Sequence, residues 1–191
     1  GPGRAHHGLI EDCNLHSSGY DVIKITPECD GVTIRRCEIH HSGLYFLANE
    51  PNNPDKNCQG IDDVNADSLV VQDCYFHDIP SQALFFKGGA MDCLVERVRV
   101  ERCQYGIFLG ASTDQEFHST NVNPLYYQAI RGTVRNCLIK DIEDCGIAFE
   151  CARDSRVYNN TLIRCGTKVD GVAIRFGVEG TYNDQTGAMI A

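Results

Sequence analysis

One column of residues recurs along the chain and constrains its fold more than any other feature. Cys13, Cys37, Cys74, Val98, Cys137 and Asn160 follow one another at spacings of 24, 37, 24, 39 and 23 residues. Three positions before each member stands a β-branched residue: Ile10, Ile34, Val71, Val95, Val134 and Val157. Two positions after each stands an apolar one: Leu15, Ile39, Phe76, Val100, Ile139 and Leu162. A second motif, apolar-x-apolar, follows in each repeat at Ile23/Ile25, Leu44/Phe46, Ala83/Phe85, Ile107/Leu109, Ile147/Phe149 and Val172/Ile174. Alternation with period two is the signature of strands with one buried face. The buried parity changes between Ile34 and Cys37, and equivalently in the other repeats, which is what a sharp bend between two short strands produces. Several strands per repeat and no helical period predict an all-β chain, a β-solenoid of about six coils.

The column cysteines then form an inward ladder, with equivalent residues about 4.8 Å apart. Eleven cysteines in 191 residues would suit a disulfide framework in a small secreted domain. The count is odd, there is no C-x-x-C pair, and in-register neighbours meet disulfide geometry poorly. Buried thiols acting as small hydrophobes are therefore expected. Asn160 closes the column, where an asparagine can adopt a left-handed bend and bond along the stack.

The repeats GLIEDCNLHSSG, VTIRRCEIHHSG, LVVQDCYFHDI, TVRNCLIKDIEDCGIAF and RVYNNTLIRCG resemble those of the pectate-lyase-like superfamily. The resemblance covers nearly the whole chain and implies a right-handed parallel β-helix, a single-stranded β-solenoid, over residues 1–191 as a single domain. That scaffold hosts lyases, hydrolases, epimerases and non-catalytic adhesins, so it does not choose a function. The chain opens about one strand into a coil and stops at Ala191 without an obvious polar cap. Together with the tag-scar-like Gly1-Pro2-Gly3, this predicts a fragment or shortened chain, or end-to-end or homo-oligomeric packing that covers the ends.

Two coils are lengthened by loops rich in Pro, Asn and Thr, about 49–59 (NEPNNPDKNCQ) and 111–131 (ASTDQEFHSTNVNPLYYQAIR). Both are expected to follow the second strand motif, to leave from one corner and to flank the third coil. That predicts a cleft with Lys87 of the Phe86-Lys87-Gly88-Gly89 turn on its floor. Candidates around it are Asp55, Asp62, Asp63, Glu116, His118, Tyr126, Tyr127 and Arg175. A polysaccharide lyase needs a base beside a uronate carboxylate and a cation to neutralise that carboxylate. Lys87 as base, with Tyr127 and Arg175 assisting, fills those roles; a surface lysine beside a glycine turn is the plainer account. Glu116, Phe117, His118, Tyr126, Phe108 and Tyr45 are the expected substrate contacts. The outward stripe Tyr45, Leu84, Phe86 and Phe108 either stacks on sugar rings or lies beneath the loops. No cofactor is expected. Calcium is the one ion the acidic residues Asp55, Asp62, Asp63 and Asp67 suggest, without a regular ligand loop.

The stretch NCQGID resembles the N-T-D-G-I-D segment of polygalacturonase-type glycoside hydrolases, but the motif aspartate falls on Gln59. The family's paired aspartates fall near Pro80 and Ser81, and its histidine on Tyr105. Hydrolysis with inversion needs two carboxyl groups, so that mechanism is not expected at these positions. The strings FFKGGAMDCLVE, GIFLGAS, EF, PLYYQAIRGTVRNCLIKDIEDCGIAF, YNNTLIRCG and AIRFG resemble a group of bacterial β-helix proteins. In that group a KGG turn, an EF loop and an aromatic-rich loop recur, which implies a shared site at Lys87, Gly88, Gly89, Glu116, Phe117 and Tyr127. Tyr126 stands where histidine is expected and Gln128 where glutamate is expected.

His16, His40 and His77 each lie three residues after a column cysteine and should stack on one face, with His41 beside them. The simple reading is a polar outer ladder continued by Glu101 and Lys140. Imidazoles so placed could instead share a zinc or copper ion.

The net charge of −9, from 26 acidic and 17 basic residues, disfavours nucleic acid and anionic membrane as partners. No run is long and apolar enough to insert in a membrane. The expectation is an extracellular or cell-surface protein that binds an acidic polysaccharide, with cleavage by β-elimination left open as a further step. The alternative is a non-catalytic structural or adhesive solenoid belonging to a larger surface or phage-tail protein.

Overall fold

The structure, a computed structural model, describes residues 4–52 and 57–178 and the backbone of 181–182. Three six-stranded parallel sheets run the length of a β-helix. Sheet 1 stacks Leu9–Glu11, Thr33–Arg35, Val70–Gln72, Leu94–Glu96, Thr133–Arg135 and Arg156–Tyr158. Sheet 2 stacks Asn14–His16, Glu38–His40, Tyr75–His77, Arg99–Glu101, Leu138–Ile142 and Thr161–Cys165. Sheet 3 stacks Ile23–Ile25, Ile61–Val64, Gln82–Lys87, Tyr105–Gly110, Cys145–Glu150 and Val172–Gly177. The register joins Ile10, Ile34, Val71, Val95, Val134 and Val157 into one rung-to-rung column, and Leu15, Ile39, Phe76, Val100, Ile139 and Leu162 into another. These columns belong to one continuous apolar core.

All eleven cysteines are free thiols. Within the ladder, Cys37, Cys74 and Cys137 each donate Sγ–H to the carbonyl two residues back, at 3.2, 3.2 and 3.1 Å. Asn160 works along the stack: its Oδ1 accepts from the Cys137 N–H (2.8 Å) and its Nδ2 donates to the Val134 carbonyl (3.0 Å). The left-handed residue is Asn159 instead, one position earlier than expected (φ 56°). The same position is left-handed in every coil, at Asp12, Arg36, Asp73, Arg97, Asn136 and Asn159. Opposite charges at successive bends pair between coils, Arg36 with Asp12 and Arg97 with Asp73, both at 2.7 Å. Exposed pairs of this kind are screened by water and contribute little to stability.

Sheet 3 departs from the expected register. Leu44 and Phe46 lie in a short helix, Leu44–Asn49, and the second-coil strand is Ile61–Val64. The first insertion therefore precedes its sheet 3 strand and occupies 41–60, whereas the second follows its strand and occupies 111–128. They leave from opposite edges of sheet 3, not from one corner. In the third coil Leu84 and Phe86 point into the core, fully buried, so they form no outer stripe; Phe85 takes the outward position. The outward column of sheet 3 is Lys24, Asp62, Phe85, Phe108, Ala148 and Arg175.

Candidate functional site

Because the insertions rise from opposite edges, they wall the outer face of sheet 3 between them. The resulting cleft has a volume of about 890 Å³. Pro51, Asn52 and Asn57 of the first insertion stand on one side, and Ala111–Asp114 and Phe117 of the second on the other. Its polar lining includes Lys24, Gln59, Gln82, Lys87, Tyr105 and Arg175, and its acidic members are Asp114 and Glu150.

At one end, Lys87 Nζ lies 3.4 Å from Asp62 Oδ2 and 4.4 Å from the centroid of the Phe85 ring. Lys24 pairs with the same Asp62 oxygen. Asp62 is fully buried, and its other oxygen, Oδ1, has no hydrogen-bond partner among the described residues. Next to this triad the amides form a short chain. Ser81 Oγ donates to Gln82 Oε1 (2.5 Å), Gln59 Nε2 donates to the same oxygen (3.1 Å), and the Gln59 N–H donates to Asp21 Oδ1 (2.9 Å). Burial raises the Asp21 carboxyl above its ordinary range. At the other end, Arg175 donates to Asp144 Oδ1 (3.0 Å) and Glu150 Oε1 (3.5 Å). Burial, with the Asp144 carboxylate beside it, pushes the Tyr105 phenol up to about 12. Tyr105 is therefore a hydrogen-bond donor at neutral pH rather than a base. Lys87 and Arg175 stand three coils apart, roughly 14 Å along the stack.

The remaining expected site residues fall elsewhere. Phe117 lines the cleft wall, but Glu116 is exposed outside the cleft in the 3-10 turn Gln115–Phe117. Tyr127 faces a separate hollow shared with Phe149 and Ala152, under the Arg153 guanidinium at 5.0 Å. Tyr127 is thus not among the residues that line the cleft with Lys87. Tyr45, on the helix of the first insertion, stacks on Tyr20 (5.5 Å, 9°) and donates to Glu50 Oε1, away from the cleft. Phe108 and Phe85 are only 4% and 6% exposed. They pack edge to face, with Ala111 and Tyr105 against them, and line the floor of the cleft.

His118 and Tyr126 hold the second insertion together. Gln115 Nε2 donates to the Tyr126 hydroxyl (2.8 Å), and Asn123 joins the Nδ1 of His118 to the backbone of Tyr127. The Gly88-Gly89 turn seats this loop. The Gly88 N–H donates to Gln128 Oε1 and the Gly89 N–H to the Gln128 carbonyl, both at 2.9 Å. Gly89 has φ 94°, and a Cβ there would meet Asn123 Nδ2 at 3.0 Å. The recurring KGG turn and aromatic loop thus meet as a structural joint beside the cleft.

The acidic residues considered for calcium diverge. Asp62 is held by two lysines. Asp63 points inward, accepting from the Ala66 N–H and the Cys93 thiol, and Asp67 accepts from the Met91 N–H. Asp55 lies outside the described residues. Gln59 and Tyr105, at the positions of the hydrolase aspartate and histidine, do line the cleft. They bring an amide and a phenol where that mechanism needs a carboxyl and an imidazole.

Sequence reasoning missed Lys24, Gln82 and the Asp144–Glu150 clamp on Arg175. The signal for Lys24 was present in its outward place between Ile23 and Ile25.

Comparison with known proteins agrees with this geometry at the level of fold. A family model described as the right handed beta helix region matches residues 3–124. No curated protein and no solved structure matches the chain.

Proposed function

The chain belongs to the right-handed β-helix family, and from that premise we propose that it binds an acidic polysaccharide in the cleft on the outer face of sheet 3. The observation that carries this reading is the placement of Lys24, Lys87 and Arg175 along one groove walled by both insertions. Each is paired with a carboxylate, Asp62 for the two lysines and Asp144 with Glu150 for Arg175. The groove thus offers fixed cationic donors about 14 Å apart rather than net positive charge, a spacing that suits a polymer with repeated carboxylates. The amides of Gln59 and Gln82 and the phenol of Tyr105 supply hydrogen bonds to sugar hydroxyls between them. A cleft on the outside of a rigid stack, framed by loops, supports this reading, since loops held by a rigid scaffold often carry binding residues. An extracellular or cell-surface setting goes with this ligand class.

Cleavage by β-elimination is the further step. It would draw on Lys87 alone from the expected group, with the carboxylate-neutralising role falling to Lys24, since Arg175 and Tyr127 are not beside it. This dispersal favours a second reading, a non-catalytic structural or adhesive module. Affinity electrophoresis through a panel of uronate-containing polysaccharides tests the binding. Retardation by at least one, weakened tenfold or more by Lys24→Met with Arg175→Gln, is expected. Migration unchanged by every polymer would overturn it. Ultraviolet absorbance of an unsaturated product, lost in Lys87→Ala, separates cleavage from binding alone.

A further inference from the structure

Sheet 2 carries, on a face unrelated to the cleft, the histidine ladder. His16 and His40 stack at 4.7 Å and 8°, and His40 and His77 at 4.6 Å and 12°. His41, at the following bend with φ 54°, turns edge-on to both: 4.8 Å and 79° to His40, 6.2 Å and 90° to His77. One ring nitrogen from each of His40, His41 and His77 lies within 4.8 Å of the others.

The surrounding bonds set the tautomers. Asn14 Nδ2 donates to Glu38 Oε2 (3.0 Å), which turns the amide oxygen toward His40. That oxygen accepts from His40 Nε2–H at 3.0 Å, so the lone pair of His40 is on Nδ1. Nδ1 faces Nδ1 of His41 at 2.5 Å. His77 has a carboxylate at each nitrogen, Asp78 Oδ2 at 2.6 Å from Nδ1 and Glu38 Oε1 at 3.0 Å from Nε2. For either nitrogen to bind a metal, its own hydrogen bond to a carboxylate must break and any proton it carries must leave to solvent. The other nitrogen then keeps its N–H···carboxylate bond, the usual support for a ligating imidazole. His16 differs: its Nδ1 already bonds Ser17 Oγ at 2.8 Å.

We propose that His40, His41 and His77 form a binding site for a divalent late transition metal, with zinc as its working probe. Zinc–nitrogen bonds of about 2.0–2.1 Å place tetrahedral ligands roughly 3.4 Å apart. The site reaches this by drawing His77 toward His40 and moving His41, which is exposed, outward. His41 Nδ1 gives up its proton to the metal bond while its solvent-side Nε2 takes one up, so the ring stays neutral. Water completes the fourth position.

Calorimetric titration of the whole reduced chain with zinc, followed by NMR of the histidine rings, tests the site. One zinc per chain is expected, shifting the rings of His40, His41 and His77 but not that of His16. His41→Asn suits the left-handed bend and should weaken binding tenfold or more, as should His77→Gln. His16→Gln and the double variant His6→Gln/His7→Gln should leave it unchanged. Absence of stoichiometric zinc, binding that survives His41→Asn, or binding abolished by thiol alkylation would overturn the proposal.

Discussion

Lys87 and Lys24 share one buried carboxylate oxygen, Oδ2 of Asp62, with Lys87 at 3.4 Å. Because the carboxylate is fully buried, either lysine can offset its charge, but removal of both leaves an uncompensated ion in the sheet. Such an ion costs several kcal/mol, whereas losing one of two partners costs far less. Lys24→Met and Lys87→Met should each destabilise by about 1 kcal/mol, and the double variant by about 3 kcal/mol or more. Denaturant unfolding of the four proteins measures the cycle. Simple additivity would mean that the two lysines do not substitute for each other.

Asp63 occupies an inward position that its neighbours in register fill with Ile25 and Phe86. Burial raises its carboxyl well above the ordinary 3.8. A raised folded value means that the unfolded chain gives up this proton first. The contribution to stability is thus complete below about pH 3.8 and is lost as pH rises through the folded value. Asp63→Asn should abolish that loss and make the protein more stable than wild type at about pH 7. Urea melts across this range check the sign, and a variant less stable than wild type at neutral pH would refute it.

His118 runs the other way. Burial lowers its value from 6.5 to about 4. The imidazole stays neutral in the folded loop, and the unfolded chain takes up the proton as pH falls from 6.5 toward 4. Stability present above 6.5 is lost across that window, by at most on the order of 3 kcal/mol. Because His118 sits inside the second insertion, the loss should appear first as faster amide exchange over 111–128, and His118→Gln should flatten it.

Gly89 is the point where the KGG turn meets Asn123. Gly89→Ala imposes a left-handed strain and a 3.0 Å contact, and should cost about 2 kcal/mol. The damage should concentrate in the second insertion. A neutral effect on melting temperature and on loop protease sensitivity would show that the turn does not seat the loop.

Sheets 1 and 2 were legible because no insertion falls within or between their strands: the apolar residues keep the same offsets, three before and two after the column residue, in every coil, although the coils themselves differ in length. Sheet 3 was legible only in part. Leu44–Asn49 imitates the apolar-x-apolar motif in a helix, and the true strand, Ile61–Val64, hides itself by placing Asp63 in the core. In the third coil the run Ala83-Leu84-Phe85-Phe86 is apolar at both parities, because Phe85 lies covered on the outside. Pattern alone could not choose between them. The cleft was foreseen with Lys87 on its floor, yet the insertions wall it from opposite edges. His118 and Tyr126 are bonded within the second insertion, to Asn123 and Gln115, and the Tyr127 ring lies under Arg153 in a separate hollow, arrangements that the sequence pattern does not indicate.

The most direct test of the central claim maps the bound ligand rather than its affinity alone. Amide hydrogen exchange of the chain saturated with whichever acidic polysaccharide retards it should show new protection confined to the sheet 3 strands around Lys24, Gln82, Lys87, Tyr105 and Arg175, and to the facing segments of the two insertions. Protection centred on sheet 1 or sheet 2, with sheet 3 unchanged, would contradict the account.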